Sequence, residues 1–117
     1  MNPVVLVGVG GMLGALSRYF VGQRVSGDGR GTLAVNVLGS LFLGALTASF
    51  TPNASLLMLF GTGFCGAFTT FSSFAFETVR LYERGKRRKA INNATINLVG
   101  ALLAVAVGGF VVTVISP

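Results

Sequence analysis

The chain has 117 residues, 52% of them hydrophobic and only 10% charged, with a mean hydropathy of +0.77. A soluble domain of this size needs far more charge to cover its surface, so a water-soluble globule is excluded. The net charge of +6 and a pI near 10.9 would suggest nucleic acid in a soluble protein, but in a membrane protein basic residues gather in cytoplasmic loops. Cys65 is the single cysteine and there is no histidine, which removes an intramolecular disulfide, histidine-based metal sites and Ser/Cys–His catalysis.

Met1-Asn2-Pro3-Val4 carries no basic residue, so no cleaved signal peptide is expected. Spanning a bilayer takes about 20 apolar residues, and four runs in the single domain 1–117 qualify. The first covers about 4–22 and the second about 32–50, joined by a polar, glycine-rich turn. A tight connection, Thr51-Pro52-Asn53-Ala54-Ser55, leads to the third span at about 56–79, with Ser55 as a helix cap. A charged loop from Arg80 to Lys89 precedes the fourth span at about 90–115. Of the seventeen glycines, Gly10, Gly14, Gly39, Gly44, Gly61 and Gly100 read as positions where helix backbones approach closely in lipid.

With four spans, the first and third loops share one membrane face, and both termini share the other. Arg18, Arg24 and Arg30 lie in or nearest the first loop. Arg80, Arg84, Lys86, Arg87, Arg88 and Lys89 lie in or beside the third. All nine basic side chains therefore belong to one face, which the positive-inside rule assigns to the cytoplasm, with both termini external. Such a chain inserts in one fixed orientation.

The third span carries the unusual chemistry. Thr69, Thr70, Ser72 and Ser73 place four hydroxyls in five residues near mid-membrane, just after Gly61, Gly63 and Gly66. One reading is an intact helix whose hydroxyls bond back to the preceding turn. The other is an interrupted helix, whose unpaired backbone groups must line a polar cavity or bind an ion. Carbonyls at a break suit a hard cation, and amides opening a second half-helix suit an anion. Phe60, Phe64, Phe68, Phe71 and Phe74 run alongside at spacings that place them on one helical stripe. Such a stripe is either packing surface or a row of electropositive ring edges for a small anion. Asn36 in the second span, Asn92, Asn93, Thr95 and Asn97 in the fourth, and Glu77 late in the third are the other polar groups at depth.

Three motifs in order now resemble the Fluc/CrcB fluoride channel family over essentially the whole chain. They are Gly10-Gly11-Met12-Leu13-Gly14-Ala15-Leu16-Ser17-Arg18, Gly31-Thr32-Leu33-Ala34-Val35-Asn36-Val37-Leu38-Gly39 and Gly66-Ala67-Phe68-Thr69-Thr70-Phe71-Ser72-Ser73-Phe74. The resemblance implies an all-α fold of four transmembrane helices, the third broken near its centre, in the cell membrane of a prokaryote. It also implies an antiparallel dimer with two fluoride pores. Phe71 and Phe74 match the family's pore phenylalanines and Asn36 its pore asparagine. Thr70, Ser72 and Ser73 fall on the hydroxyl-rich stretch beside the anion path. Gly66 and Thr69 match positions whose carbonyls hold a structural, untransported sodium ion, and Arg18 matches an arginine near the vestibule. Two departures stand out: Ala67 replaces a glycine common in relatives, and the fourth span beyond Asn97 is almost wholly apolar. Because the charge map fixes the orientation, the expected partner is a paralogous subunit of opposite bias, with a homodimer as the alternative.

Other functions fit the residues less well. A proton-coupled multidrug carrier needs a carboxylate at mid-membrane, whereas Glu77 sits toward the basic end and tryptophan is absent. A purely structural subunit explains the glycines but not the hydroxyl cluster. Enzymatic function is not expected, because no nucleophile–base pair, metal ligand set or phosphate loop is present.

Overall fold

The computed structural model describes residues 2–25, 29–49 and 53–115. Helix α1 runs Pro3–Arg24, α2 Arg30–Thr47, α3 Ala54–Leu56, α4 Gly66–Phe68, α5 Phe71–Glu83 and α6 Arg87–Ile115. A π-helical segment, Leu57–Cys65, joins α3 to α4. Among the described residues four stretches are long and apolar enough to cross a membrane, namely α1, α2, α6 and the composite third span Ala54–Glu83. The second span was expected to reach residue 50; its helix ends at Thr47, and residues 50–52 lie outside the described residues. Residues 26–28 of the expected first loop lie outside them too.

The helix ends follow local chemistry. Asn2 caps α1, its Oδ1 accepting from Val4 N–H at 2.8 Å, with Pro3 at the first helical position where no N–H is needed. The third span is capped by Asn53, not by the expected Ser55. Asn53 Oδ1 accepts from Ser55 N–H at 2.9 Å and from Leu56 N–H at 3.3 Å, so Ser55 is already inside the first turn. Between α5 and α6 the chain turns through Gly85 at φ +78°, a left-handed conformation that glycine adopts without strain.

Only a few side chains are buried within the chain, among them Leu6, Val35, Phe68 and Ala104, while large apolar residues cover the outside. In water this arrangement would be unstable; in hydrocarbon it is the expected surface. What holds the spans together is close backbone contact through glycine. A methyl added at Gly10 or Gly14 of α1 would overlap the carbonyls of Leu59 or Phe64 in the π-helical segment. Gly44 of α2 meets the Val105 carbonyl of α6, and Gly108 of α6 meets the Leu41 carbonyl of α2 in return. Gly39 admits Phe68 and Thr69, and so lets the third span come up against α2 at its break. Gly108 was not among the glycines singled out from the sequence, and Gly61 makes only ordinary contacts with Leu43 and Leu46.

Adding one methyl tests this packing. Gly14→Ala and Gly44→Ala are expected to cost about 1–3 kcal/mol each through overpacking and to lower the thermal midpoint in detergent. Gly8→Ala and Gly22→Ala, which face open space, are expected to leave it in place. Equal midpoints across all four variants would contradict the packing assignment.

Candidate functional site

The third span stops being a helix at Thr69 and Thr70. Thr69 has ψ 159° and Thr70 has φ −146° and ψ 114°, both extended, after which α5 begins afresh at Phe71. The Thr69 N–H and hydroxyl both donate to the Cys65 carbonyl, at 3.0 and 2.8 Å, and close the last turn before the break. In an unbroken helix the Thr70 N–H would close on the Gly66 carbonyl. Here it donates instead to Asn36 Oδ1 at 2.8 Å, while Asn36 Nδ2 donates to the Thr70 carbonyl at 3.2 Å. One side-chain amide thus satisfies both backbone groups of the residue at the break. The Thr70 side chain then caps α5, accepting from Ser73 N–H at 3.2 Å.

A second asparagine stands behind the first. Asn97 of α6 is only 5% exposed, and its Oδ1 accepts from Asn36 Nδ2 at 3.4 Å. Its own Nδ2 donates to the Asn93 carbonyl at 2.9 Å, and Asn93 Nδ2 donates to Thr78 Oγ1 at 2.9 Å. The chain of bonds runs from the break along α6 toward the third loop. The Thr70 N–H and carbonyl fix which way round the Asn36 amide lies, and the Asn97 oxygen meets its remaining N–H. The sequence places Asn97 among the polar groups at depth in the fourth span and ahead of an apolar run, but assigns it no partner. A usable signal was present: Asn36-x-x-Gly39 recurs as Asn97-x-x-Gly100, and α2 packs against α6.

The break lies between two cavities. The larger, about 390 Å³, is lined by Asn36, Gly66, Thr69, Thr70, Phe71 and Phe74, and also by Ser40 and Asn97. Six of the sequence-derived site residues therefore meet in one place. The smaller cavity, about 250 Å³, takes Arg18, Ser73 and Thr70, with Glu77 on its wall. Ser72 lines neither; its hydroxyl lies 3.3 Å from Thr70 Oγ1. Ser40, four residues after Asn36 and so on the same helical face, is a cavity hydroxyl that the sequence reading passed over.

The phenylalanines do not form one continuous stripe, because the break divides them. Phe64 and Phe68 stack at 5.5 Å, and Phe42 of α2 meets Phe60 and Phe64 edge-on at 6.1 and 6.0 Å. These rings are packing. Phe71 and Phe74 lie beyond the break, their centroids 5.7 Å apart, with Phe71 78% exposed at the cavity mouth. They sit on the first turn of α5, where the leading N–H groups lack intrahelical partners and the helix dipole favours negative charge.

Comparison with known proteins fits this geometry. The model of the family described as "CrcB-like protein, Camphor Resistance (CrcB)" matches residues 5–109. The chain belongs to the CrcB family. It is 46% identical over 114 residues to the "Fluoride-specific ion channel FluC" of Methanocaldococcus jannaschii, covering 92% of each chain. It is 52% identical over 103 residues to "Fluoride-specific ion channel FluC 2" of Natronomonas pharaonis, covering 87% of each. A bacterial relative, "Fluoride-specific ion channel FluC" of Legionella pneumophila, is 45% identical over 118 residues, covering 93% of this chain and 88% of its own.

In this CrcB family member, removing the Asn36 amide should strand the Thr70 N–H and carbonyl. Asn36→Leu is expected to destabilise by about 1–3 kcal/mol per buried group left unpaired. Asn97→Leu is expected to fall at the low end of that range. Thermal unfolding in detergent measures both, and an unmoved midpoint for Asn36→Leu would mean that the break holds itself open.

Proposed function

We propose that this chain is a subunit of a passive, fluoride-selective channel that lets fluoride leave the cytoplasm. The observation that carries the reading is the interrupted third span, with a helix N-terminus and two phenylalanines at one cavity, in a chain whose relatives are named fluoride-specific ion channels. Fluoride is small and holds its water tightly, so a selective path must replace that shell with close donors. The cavity offers the ring edges of Phe71 and Phe74, the hydroxyls of Ser40 and Thr70, and the N-terminal end of α5. None of these carries a fixed positive charge that would trap the ion. Asn36 serves the path by holding the break, since both of its donor bonds are spent on Thr70 and Asn97. Ser72 tethers the Thr70 hydroxyl, while Ser73 and Arg18 face the second cavity, where the guanidinium favours the arrival of an anion. No proton coupling or ATP is required.

The chemistry of the same break would also suit a structural sodium ion. The Gly66 carbonyl has lost the Thr70 N–H to Asn36, and the Thr69 carbonyl leaves the helix ladder with its extended backbone. The Thr69 hydroxyl is committed to Cys65, so its carbonyl is the free donor. Two carbonyls from each of two subunits would make a small oxygen cage, which suits a hard cation. The ion would neutralise carbonyl dipoles that hydrocarbon otherwise leaves unpaired.

Two subunits packed antiparallel complete the proposed channel. Nine basic side chains biased to one face fix the orientation of this chain with loops one and three cytoplasmic. Its partner is then a paralogue inserted the other way.

Fluoride efflux from liposomes loaded with potassium fluoride tests the conduction reading, on this chain alone and with its candidate partner. Phe71→Ile and Phe74→Ile are expected to abolish efflux while the assembly elutes unchanged from a sizing column. Wild-type rates in both variants would remove the two rings from the path. Orientation is read separately by cysteine labelling of the termini in intact cells, where Cys65 is buried and silent. External labelling alone is expected, and similar amounts on both sides would eliminate the heterodimer.

A further inference from the structure

A third cavity, about 500 Å³, opens between the end of α5 and the start of α6, away from the break. Arg80, Arg84, Lys86 and Lys89 line it against one carboxylate among the described residues, Glu77. These cations stand on an ordered turn. Gly85 N–H donates to the Tyr82 carbonyl at 3.0 Å and Lys86 N–H to the Leu81 carbonyl at 2.9 Å, the paired bonds of a Schellman cap. The turn therefore fixes the backbone from which these charges project.

The start of α6 adds to the imbalance. Its first turn holds Arg87, Arg88 and Lys89 and no acid, and the preceding residue is Lys86, whose side chain can only donate. Cations at the positive end of a helix dipole repel it, and the leading N–H groups have no side-chain acceptor from Lys86. An anion relieves both. At about 1.5 Å per residue the 29 residues of α6 run about 44 Å. That exceeds a hydrocarbon core of about 30 Å, and the end carrying Arg87, Arg88 and Lys89 is the one that belongs at headgroup depth. Leu81 and Ile96 give the cavity an apolar side.

We propose that this cavity binds the phosphate of an anionic phospholipid headgroup, with Arg84, Lys86 and Lys89 on the phosphate and Leu81 and Ile96 against the glycerol end. Glu77 lies about two turns nearer the membrane interior, with Oε1 buried and without a hydrogen-bond partner among the described residues. It repels a phosphate and so keeps the headgroup at the outer, cationic lip. Basic pockets between transmembrane helices commonly take such headgroups. A free phosphate shares the charge chemistry but has nothing to set against the apolar side.

The test uses the full chain in detergent, in its native assembly. Native mass spectrometry and thermal midpoints are followed on titration with palmitoyl-oleoyl phosphatidylglycerol, the matching phosphatidylcholine, or inorganic phosphate. Phosphatidylglycerol is expected to bind saturably and raise the midpoint, while the other two do not. Arg84→Gln/Lys86→Gln/Lys89→Gln is expected to weaken phosphatidylglycerol about a hundredfold, roughly fivefold per cation, while Arg24→Gln/Arg30→Gln, removing charge outside the cavity, holds within about threefold. If the cavity triple variant does not fold, Arg84→Gln alone is expected to show about a fivefold loss. Equal weakening per charge removed in the cavity variant and in Arg24→Gln/Arg30→Gln would reduce the effect to diffuse charge. Equal protection by inorganic phosphate would overturn the lipid assignment.

Discussion

An extended peptide inside a membrane span survives only if its N–H and carbonyl find partners, and here a single asparagine provides both. Hydrocarbon has no water to offer, so each unpaired backbone group costs several kcal/mol. Asn36 closes on Thr70 from the neighbouring helix, and the rest of the site follows from that pairing. It frees the Gly66 carbonyl, lets Thr70 cap α5, and starts a new helix whose first turn carries Phe71 and Phe74. The break is therefore held from outside by α2, which in turn is held by α6.

The glycines make that hold geometrically possible. Asn36 has a short side chain, so α2 must lie close to the third span for its amide to reach the Thr70 backbone. Gly39, one turn further along α2, leaves the room that Phe68 and Thr69 occupy. The reciprocal Gly44 and Gly108 contacts bring α2 against α6, close enough for Asn97 to meet Asn36. Small residues and polar residues thus act together. Backbone proximity costs nothing in lipid but side-chain volume, and the hydrogen bonds it permits are shielded from competition.

Sequence reasoning reached the four spans and the neighbourhood of the break for direct reasons. Span length is set by bilayer thickness, and a dense hydroxyl cluster after glycines is costly in a continuous apolar helix. It did not reach the residue at which the helix stops, because Thr70 owes its extended backbone to an amide 34 positions away. Nor did it foresee the π-helical winding of Leu57–Cys65, which lies against Gly10 and Gly14 of another helix. Asn53 and Ser55 are both good caps, and only the register of the turn chose between them. The phenylalanine row was legible as a spacing, yet its division into packed rings and cavity rings depends on the break itself.

The proposed second subunit follows from the same physical constraint that makes Asn36 necessary. Asn36 satisfies Thr70, but the Gly66 carbonyl is left off the ladder at an exposed position, and Phe71 stands largely uncovered beside it. Lipid can cover the ring but cannot bond the carbonyl. Whatever faces that surface must bring polar groups or an ion, which a second chain with its own break does and an apolar partner does not. An antiparallel copy would meet the need geometrically, yet it would have to insert with its basic residues on the far side of the membrane. The positive-inside preference opposes that reversal. A partner of related shape with its charges on the opposite loops escapes the conflict, so the backbone asks for a like fold and the charge map asks for an unlike sequence.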